Sequence, residues 1–136
     1  MREIETLLFA NETFYRAVAD QDMDALEGVW SVAVPVSCLH PGWPPLHGRD
    51  EVMESWQRII RGPAPPAIEC HAPTAHLIGT TGLVTCYEKI GAEWLIASNL
   101  FVREGQDWAM GHHQSGPVSQ PTDGSEITTP PQPNLT

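Results

Sequence analysis

Basic residues are scarce in this sequence: 7 lysines and arginines stand against 17 aspartates and glutamates, which gives a formal net charge of −10. Such a surface repels the phosphate backbone of nucleic acids and anionic lipid headgroups. Long apolar runs are also missing, since no stretch approaches the roughly 20 apolar residues of a membrane-spanning helix. The N-terminus lacks the basic start and the uninterrupted apolar core of a secretory signal. We therefore predict a cytoplasmic protein that binds neither nucleic acid nor membrane.

Cysteines are few and odd in number. Cys38, Cys70 and Cys86 form no CxxC pair, so we predict reduced thiols that pack as small apolar groups. A nucleophilic Cys38 stays an alternative, because an extended segment would place Cys38 and His40 side by side on one face.

Several chemical signatures are absent as well. The sequence has no glycine-rich phosphate loop and no serine nucleophile elbow, so nothing favours nucleotide chemistry or serine-type ester hydrolysis. Its histidines form neither an HxH nor an HExxH pattern, and adjacent His112 and His113 on a strand would point to opposite faces. We predict that the protein needs no metal and no cofactor. A site that joins His40 and His113 to either His71 or His76 stays an alternative.

The length of the chain favours a single domain. A chain of 136 residues buries roughly two-thirds of its unfolded surface on folding. Apolar residues at helical spacing predict helices over 3–20, 23–30 and 49–61. Asp22 is the predicted N-cap of the second helix and Gly48 that of the third. Prolines crowd the end of the chain, so we predict a domain over 1–118 and a Pro-rich tail over 119–136.

Between and after the helices the pattern indicates strands. Residues 32–40 predict a first strand, followed by a rigid loop rich in proline and glycine. From 67 onward the apolar period becomes two, which predicts strands over 67–79, 82–91, 94–104 and 107–116. Their short connections predict antiparallel neighbours.

Three segments carry a resemblance to a known family. They are NETFYRAVADQDMDALEGVW (11–30), CLHPGWPPLHGRDEVMESW (38–56) and LFVREGQDWAMGHHQSGP (100–117). In this order they resemble the opening helices, the HPG loop with the third helix, and the final hairpin of the SnoaL-like, or nuclear transport factor 2-like, superfamily. The resemblance covers about residues 5–118. It implies an α+β fold: a cone-shaped, curved, mostly antiparallel sheet whose three N-terminal helices enclose a pocket. It also implies a homodimer formed through the outer sheet face.

Ketosteroid isomerase is a cousin of this family by fold. The resemblance places its catalytic carboxylate near Leu39–His40 and its two oxyanion-stabilising groups at Phe14 and Asn99. Phe14 has no hydroxyl and Asn99 does not titrate, so the isomerase set is not preserved. Tyr15 is adjacent to Phe14, however, and Asn99 could still polarise a carbonyl.

Alignment on the cavity face of ketosteroid isomerase predicts which side chains face the pocket. One-residue errors of register would exchange the two faces. The predicted inward sets are Leu83, Thr85 and Tyr87; Ala97, Asn99 and Phe101; and Gly111, His113 and Ser115. The predicted outward residues of the last strand are Trp108, Met110 and His112.

Three candidates for catalysis follow from this placement: His40, His113 and Asn99. A histidine with a near-normal pKa suits acid–base work at neutral pH. The alternatives are that His40 anchors a loop, that His113 is a satisfied core residue, and that Asn99 bonds internally. The residues predicted to line an aromatic-walled ligand pocket are Phe14, Tyr15, Trp43, Trp56, Tyr87 and Phe101.

We therefore predict a small-molecule-binding domain that could be a cofactor-free acid–base enzyme of the isomerase, cyclase or dehydratase type, acting on an apolar ligand. The alternative is a non-catalytic dimeric module for association or docking, with Trp108 and Met110 at the interface. A metal-dependent lyase or oxygenase is a third hypothesis.

Overall fold

The structure is a computed structural model that describes residues 2–121. Most of the predicted Pro-rich tail, residues 122–136, lies outside the described residues. Of the helices in residues 2–121, none combines the length and the apolar character that crossing a membrane requires.

Three helices form where the apolar spacing predicts them: α1 (Arg2–Ala19), α2 (Met23–Val29) and α3 (Arg49–Ile60). The Asp22 side chain accepts a hydrogen bond of 3.0 Å from the backbone N–H of Ala25, which confirms it as the N-cap of α2. Gly48 precedes α3 with φ of 90°, a conformation that only glycine adopts without strain. Both predicted helix starts are confirmed.

One six-stranded sheet packs against these helices. Its strands are β1 (Ser37–Leu39), β2 (Leu46–His47), β3 (Ile68–Ile78), β4 (Thr81–Ile90), β5 (Glu93–Glu104) and β6 (Asp107–Pro117). They lie in the order β2-β1-β6-β5-β4-β3. All pairs are antiparallel except β1 with β6. The predicted α+β class is confirmed, and so are the four long strands.

The first strand is shorter than the predicted 32–40. The Glu104 carboxylate accepts hydrogen bonds from the Ser31 hydroxyl and from the backbone N–H groups of Val32 and Ala33. These donors are therefore engaged by a side chain rather than by a neighbouring strand. The two-residue strand β2 instead lies in the segment predicted as a loop.

The helices cover one face of the sheet, which we call the inner face. α1 packs against β3, β4 and β6, and it inserts Phe14 into the centre of the core. Edge-to-face contacts join the Phe14 ring to Trp30 and Trp56, with centroids 6.4 and 5.5 Å apart.

The register of β4 differs from the prediction. Ile90 pairs with Glu93 across a two-residue turn, so Asn99 lies opposite Val84. Residues directly opposite in an antiparallel pair share a face, and the buried side chains of β4 are Val84, Cys86 and Glu88. The predicted inward set of Leu83, Thr85 and Tyr87 is therefore wrong, because it is offset by one residue.

A β-bulge in β6 changes which of its side chains face inward. In β6 the pairing shifts from Phe101↔Met110 to Leu100↔His112, which leaves Gly111 without a partner. The extra residue restarts the alternation, so residues on both sides of it face inward. Met110 is fully buried and Trp108 is 8% exposed, so the prediction that they face outward is wrong. His112 does lie on the outer face, where its ring contacts Ser37.

Candidate functional site

Six buried polar side chains form a connected network on the inner face. Each is at most 5% exposed, although the surrounding core is apolar. Buried polar groups are retained in native proteins when they satisfy each other or a ligand. The members, contributed by α1 and strands β4, β5 and β6, are Asn11, Tyr15, Glu88, Asn99, His113 and Ser115. We call this set the inner polar network.

Glu88 is the acidic centre of the inner polar network. The Tyr15 hydroxyl donates to its Oε2 at 2.5 Å, and the Ser115 hydroxyl donates to its Oε1 at 2.7 Å. His113 Nε2 lies 3.9 Å from Oε2. The carboxyl group thus has a hydroxyl donor on each oxygen and an imidazole beside it.

Asn99 fixes the direction of the remaining hydrogen bonds. Its Nδ2 donates to Asn11 Oδ1 at 2.8 Å and to the Tyr15 hydroxyl oxygen at 3.1 Å. Asn99 Oδ1 must then accept from His113 Nδ1, 2.6 Å away. His113 therefore carries its proton on Nδ1 and presents the lone pair of Nε2 toward Glu88.

Burial decides the protonation of this network. Desolvation raises the pKa of Glu88, although hydrogen bonds from Tyr15 and Ser115 oppose the rise. Desolvation also raises the pKa of Tyr15 well above 10, with the nearby Glu88 charge adding to the effect. It lowers the pKa of His113 to about 3. At neutral pH the tyrosine and the histidine are neutral, and Glu88 holds its proton to a higher pH than an exposed glutamate.

His40 lies apart from the inner polar network. Its Nε2 is 2.9 Å from Ser55 Oγ, whose own proton goes to the carbonyl of Val52 at 2.7 Å. His40 therefore donates to Ser55 and fastens its loop to α3. Its burial lowers its pKa to about 4, so the expected near-normal pKa is wrong.

The predicted ligand-lining residues divide into three groups. Phe14, Trp56 and Phe101 are buried within the core on the inner face. Trp43 is half-buried at the edge, where its ring meets His40 at a centroid distance of 4.9 Å. Tyr87 lies on the outer face of β4, opposite Ile96, and so leaves the candidate set.

The three cysteines are free thiols. Burial raises the pKa of Cys38 to about 12, which keeps it a thiol beside His40 and argues against a nucleophilic role. Cys86 packs against the inner polar network, with its sulfur 3.3 Å from the Tyr15 hydroxyl oxygen.

A histidine metal site is not formed by the described residues. Among residues 2–121, no group of three His, Cys, Asp or Glu side chains is arranged to hold a metal ion. His71 and His76 pair with Tyr87 and Leu83 on the outer face, whereas His113 is on the inner face.

A surface groove between α1 and β3 reaches the inner polar network. Its volume is about 520 Å³, and its lining includes the apolar side chains of Leu8 and Phe9. Asn11 and Tyr15 also line it, together with the half-buried Cys70. We call it the α1–β3 groove. Tyr15 thus belongs both to the lining of the groove and to the inner polar network that contains Glu88.

Glu88 and Asn11 are not among the predicted site residues, although the sequence carries a signal for each. Gly91 and Ala92 separate two predicted strands, and a two-residue hairpin at this point puts Val84 opposite Asn99, so that alternation turns Glu88 inward. Asn11 is a polar residue within the buried stripe of α1, together with Leu7 and Phe14. A polar side chain at such a position requires a partner.

Comparisons with known proteins agree with this architecture. A SnoaL-like domain model matches residues 8–119. A crystal structure from the nuclear transport factor 2-like family of Streptomyces avermitilis, provisionally assigned as a dehydratase, is 30% identical, with a TM-score of 0.79. The match covers 88% of this chain and 98% of that one.

Two further relatives carry other descriptions. One is a structure from Thiobacillus denitrificans, provisionally assigned as a calcium/calmodulin-dependent protein kinase type II association domain. It is 25% identical with a TM-score of 0.67, over 81% of this chain and 93% of that one. The other is the F-box protein SKIP8 of Arabidopsis thaliana, 22% identical over 111 residues, which are 80% of this chain. The chain spans about half (48%) of the length of that curated relative.

Proposed function

The chain belongs to the SnoaL-like domain family, and we propose that it binds an apolar small molecule and moves protons on it without a cofactor, as a dehydratase or isomerase does. One observation carries this proposal: Tyr15 lines the α1–β3 groove and also donates to the buried carboxyl group of Glu88. The similarity to the Streptomyces avermitilis protein supports dehydration in particular.

Tyr15 is the group that would meet the ligand, and Glu88 would supply the proton behind it. Because its pKa is raised, Glu88 can hold a proton closer to neutral pH than an ordinary carboxyl group. When the Tyr15 hydroxyl donates to a ligand oxygen, its own oxygen can take the proton of Glu88. A protonated hydroxyl of the ligand then leaves as water. If the C–H proton returns along the same relay, Glu88 regains its starting form and the products are an alkene and water.

The predicted catalytic residues take positioning roles in this proposal. Asn99 donates to the Tyr15 oxygen, so the tyrosine proton stays free to point at Glu88 or at the ligand. His113 holds Asn99 in this orientation through its Nδ1–H. His40, tied to Ser55, orients the loop that precedes α3 and takes no part in the relay.

A direct test follows proton transfer rather than an assumed substrate. A panel of apolar ketones and β-hydroxy ketones in D₂O reports exchange of the α-hydrogen and loss of water by NMR. We expect the protein to accelerate one of these reactions, and Glu88→Gln to slow it by about 10²- to 10⁴-fold. Glu93→Gln, an exposed position at the start of β5, is the matched control. A Glu88→Gln variant as active as the native protein would refute the relay.

A second function is supported by a different surface. Ile96, on the outer face of β5, is 41% exposed, and Tyr87 lies opposite it on β4. Exposed apolar residues on a sheet face favour association. Together with the similarity to the Thiobacillus denitrificans association domain, they support a homodimer through this face. Dimerisation and ligand turnover use opposite faces and are compatible. A cytoplasmic location and independence from cofactors stay predictions.

A further inference from the structure

The α1–β3 groove has one sign of charge at its rim. Glu5 and Glu12 line it, one turn apart from Leu8 and Phe9, and no lining residue within the described part of the chain is lysine or arginine. Arg16 pairs with Glu12 at 3.0 Å on the exposed surface of α1, so Glu5 carries the less compensated charge. The lining therefore combines apolar walls with an acidic entrance.

The floor of the groove presents donors rather than charges. Asn11 is 1% exposed, and its Nδ2 has a sulfur atom of Cys70 as its partner at 3.7 Å, a weak acceptor. A ligand oxygen would be a better partner for this N–H group than the sulfur is, and it would then lie beside Tyr15, whose own hydroxyl donates to Glu88. An anionic ligand would have to pass the negative charge of Glu5, which disfavours it.

From this charge pattern we infer that the α1–β3 groove admits apolar molecules that carry an amine, with the ammonium group near Glu5 and an oxygen function toward Tyr15, and that it rejects carboxylates. This inference deepens the proposed function and rests on it, because Tyr15 joins the groove to Glu88. It names the substrate class: an apolar amino ketone or amino alcohol.

Cys70 provides a reporter for occupancy of the groove. It is half-buried in the lining, whereas Cys38 is fully buried and Cys86 is 2% exposed. N-ethylmaleimide should therefore label Cys70 first, and a ligand in the groove should slow this labelling.

The probes are phenylbutylamine, phenylbutanol and phenylbutyrate, which share one apolar body and differ in charge. Labelling of Cys70 in the full chain is followed by mass spectrometry with peptide mapping. We expect the probe concentration that halves the labelling rate to be lowest for the amine, intermediate for the alcohol and highest for the carboxylate. Each step in this series should be about two- to fivefold. Added salt should shrink the differences, because exposed charges are screened.

Matched variants distinguish the effect of a charge in the groove from the effect of the overall acidity of the chain. Glu5→Gln should bring the amine down to the level of the alcohol, whereas Glu54→Gln, exposed on α3, should leave the ranking as it is. Equal or better protection by the carboxylate would overturn the inference, as would labelling of Cys70 that none of the probes slows. Since this assay needs no turnover, it fails or succeeds independently of the Glu88→Gln activity test.

Discussion

The Tyr15 hydroxyl lies 2.5 Å from Glu88 Oε2, although the two residues are 73 positions apart in the chain. This hydrogen bond joins α1 to β4 in the middle of the apolar core. It also connects a surface groove to a buried acid, and so both the stability and the proposed chemistry of the domain depend on it.

Replacing Tyr15 tests this connection directly. Tyr15→Phe removes one of the two hydroxyl donors of Glu88 and leaves a buried carboxyl group less satisfied, which we expect to cost about 1–3 kcal/mol in the free energy of unfolding. Urea denaturation measures it. Tyr87→Phe, the same change on the outer face, is the control and should cost much less. Equal losses in the two variants would contradict the buried role of Tyr15.

The charge of Glu88 predicts a pH dependence of stability. Its pKa is raised in the folded state, so the unfolded state loses this proton first as pH rises. The stability that Glu88 contributes is therefore fully present below the pKa of an ordinary glutamate. It is lost as the pH rises through the raised pKa of Glu88 in the folded state. Glu88→Gln cannot ionise and should be more stable relative to the native protein at pH 8 than at pH 4. Thermal unfolding across this range checks the sign, and a constant difference would argue against a buried acid.

His113 predicts the opposite slope at lower pH. Its pKa falls from 6.5 to about 3 on folding, so the unfolded state binds the extra proton as pH decreases below 6.5. Between pH 7 and 5 this costs about 2 kcal/mol of stability. His113→Gln should roughly halve that slope even if it lowers stability at every pH, and the slope that remains belongs to His40, whose pKa falls to about 4 on folding. A native slope retained in the variant would mean that another group is responsible.

Gly82 tests the observed register of β4. A Cβ atom at this position would lie 2.6 Å from Leu7 Cδ1, so Gly82→Ala should destabilise the domain by about 1–3 kcal/mol. Leu7→Ala should remove most of this clash, so that the double variant loses less than the sum of the single ones. At Gly116 an added Cβ meets nothing within 4 Å, which makes Gly116→Ala the tolerated control. Additive losses would contradict the contact.

The outer face predicts the state of association. Ile96→Lys puts a charge beside Tyr87 on the outer face and should shift a dimer to a monomer in light scattering. Val32→Lys, at a loop position that is 74% exposed, should leave the assembly intact. A monomeric native protein would remove the support for an association module.

The sequence alone determined the parts of this protein that depend on neighbours along the chain. Apolar spacing located three helices, Asp22 and Gly48 marked two helix starts, and glycine-containing turns separated four strands. These signals are local, because a cap or a turn is specified by a few consecutive residues. The same local patterns carried the resemblance to the SnoaL-like family.

The tertiary structure decided which face each strand turns inward, and therefore what the site is. Both faces of β4 carry apolar residues, so alternation alone could not choose between Tyr87 and Glu88. The bulge at Gly111 turned Met110 inward, although a simple alternation predicts it outward. The contact of Glu88 with Tyr15 exists only because packing of α1 on the sheet brings distant residues together, and no periodicity in the chain encodes that meeting.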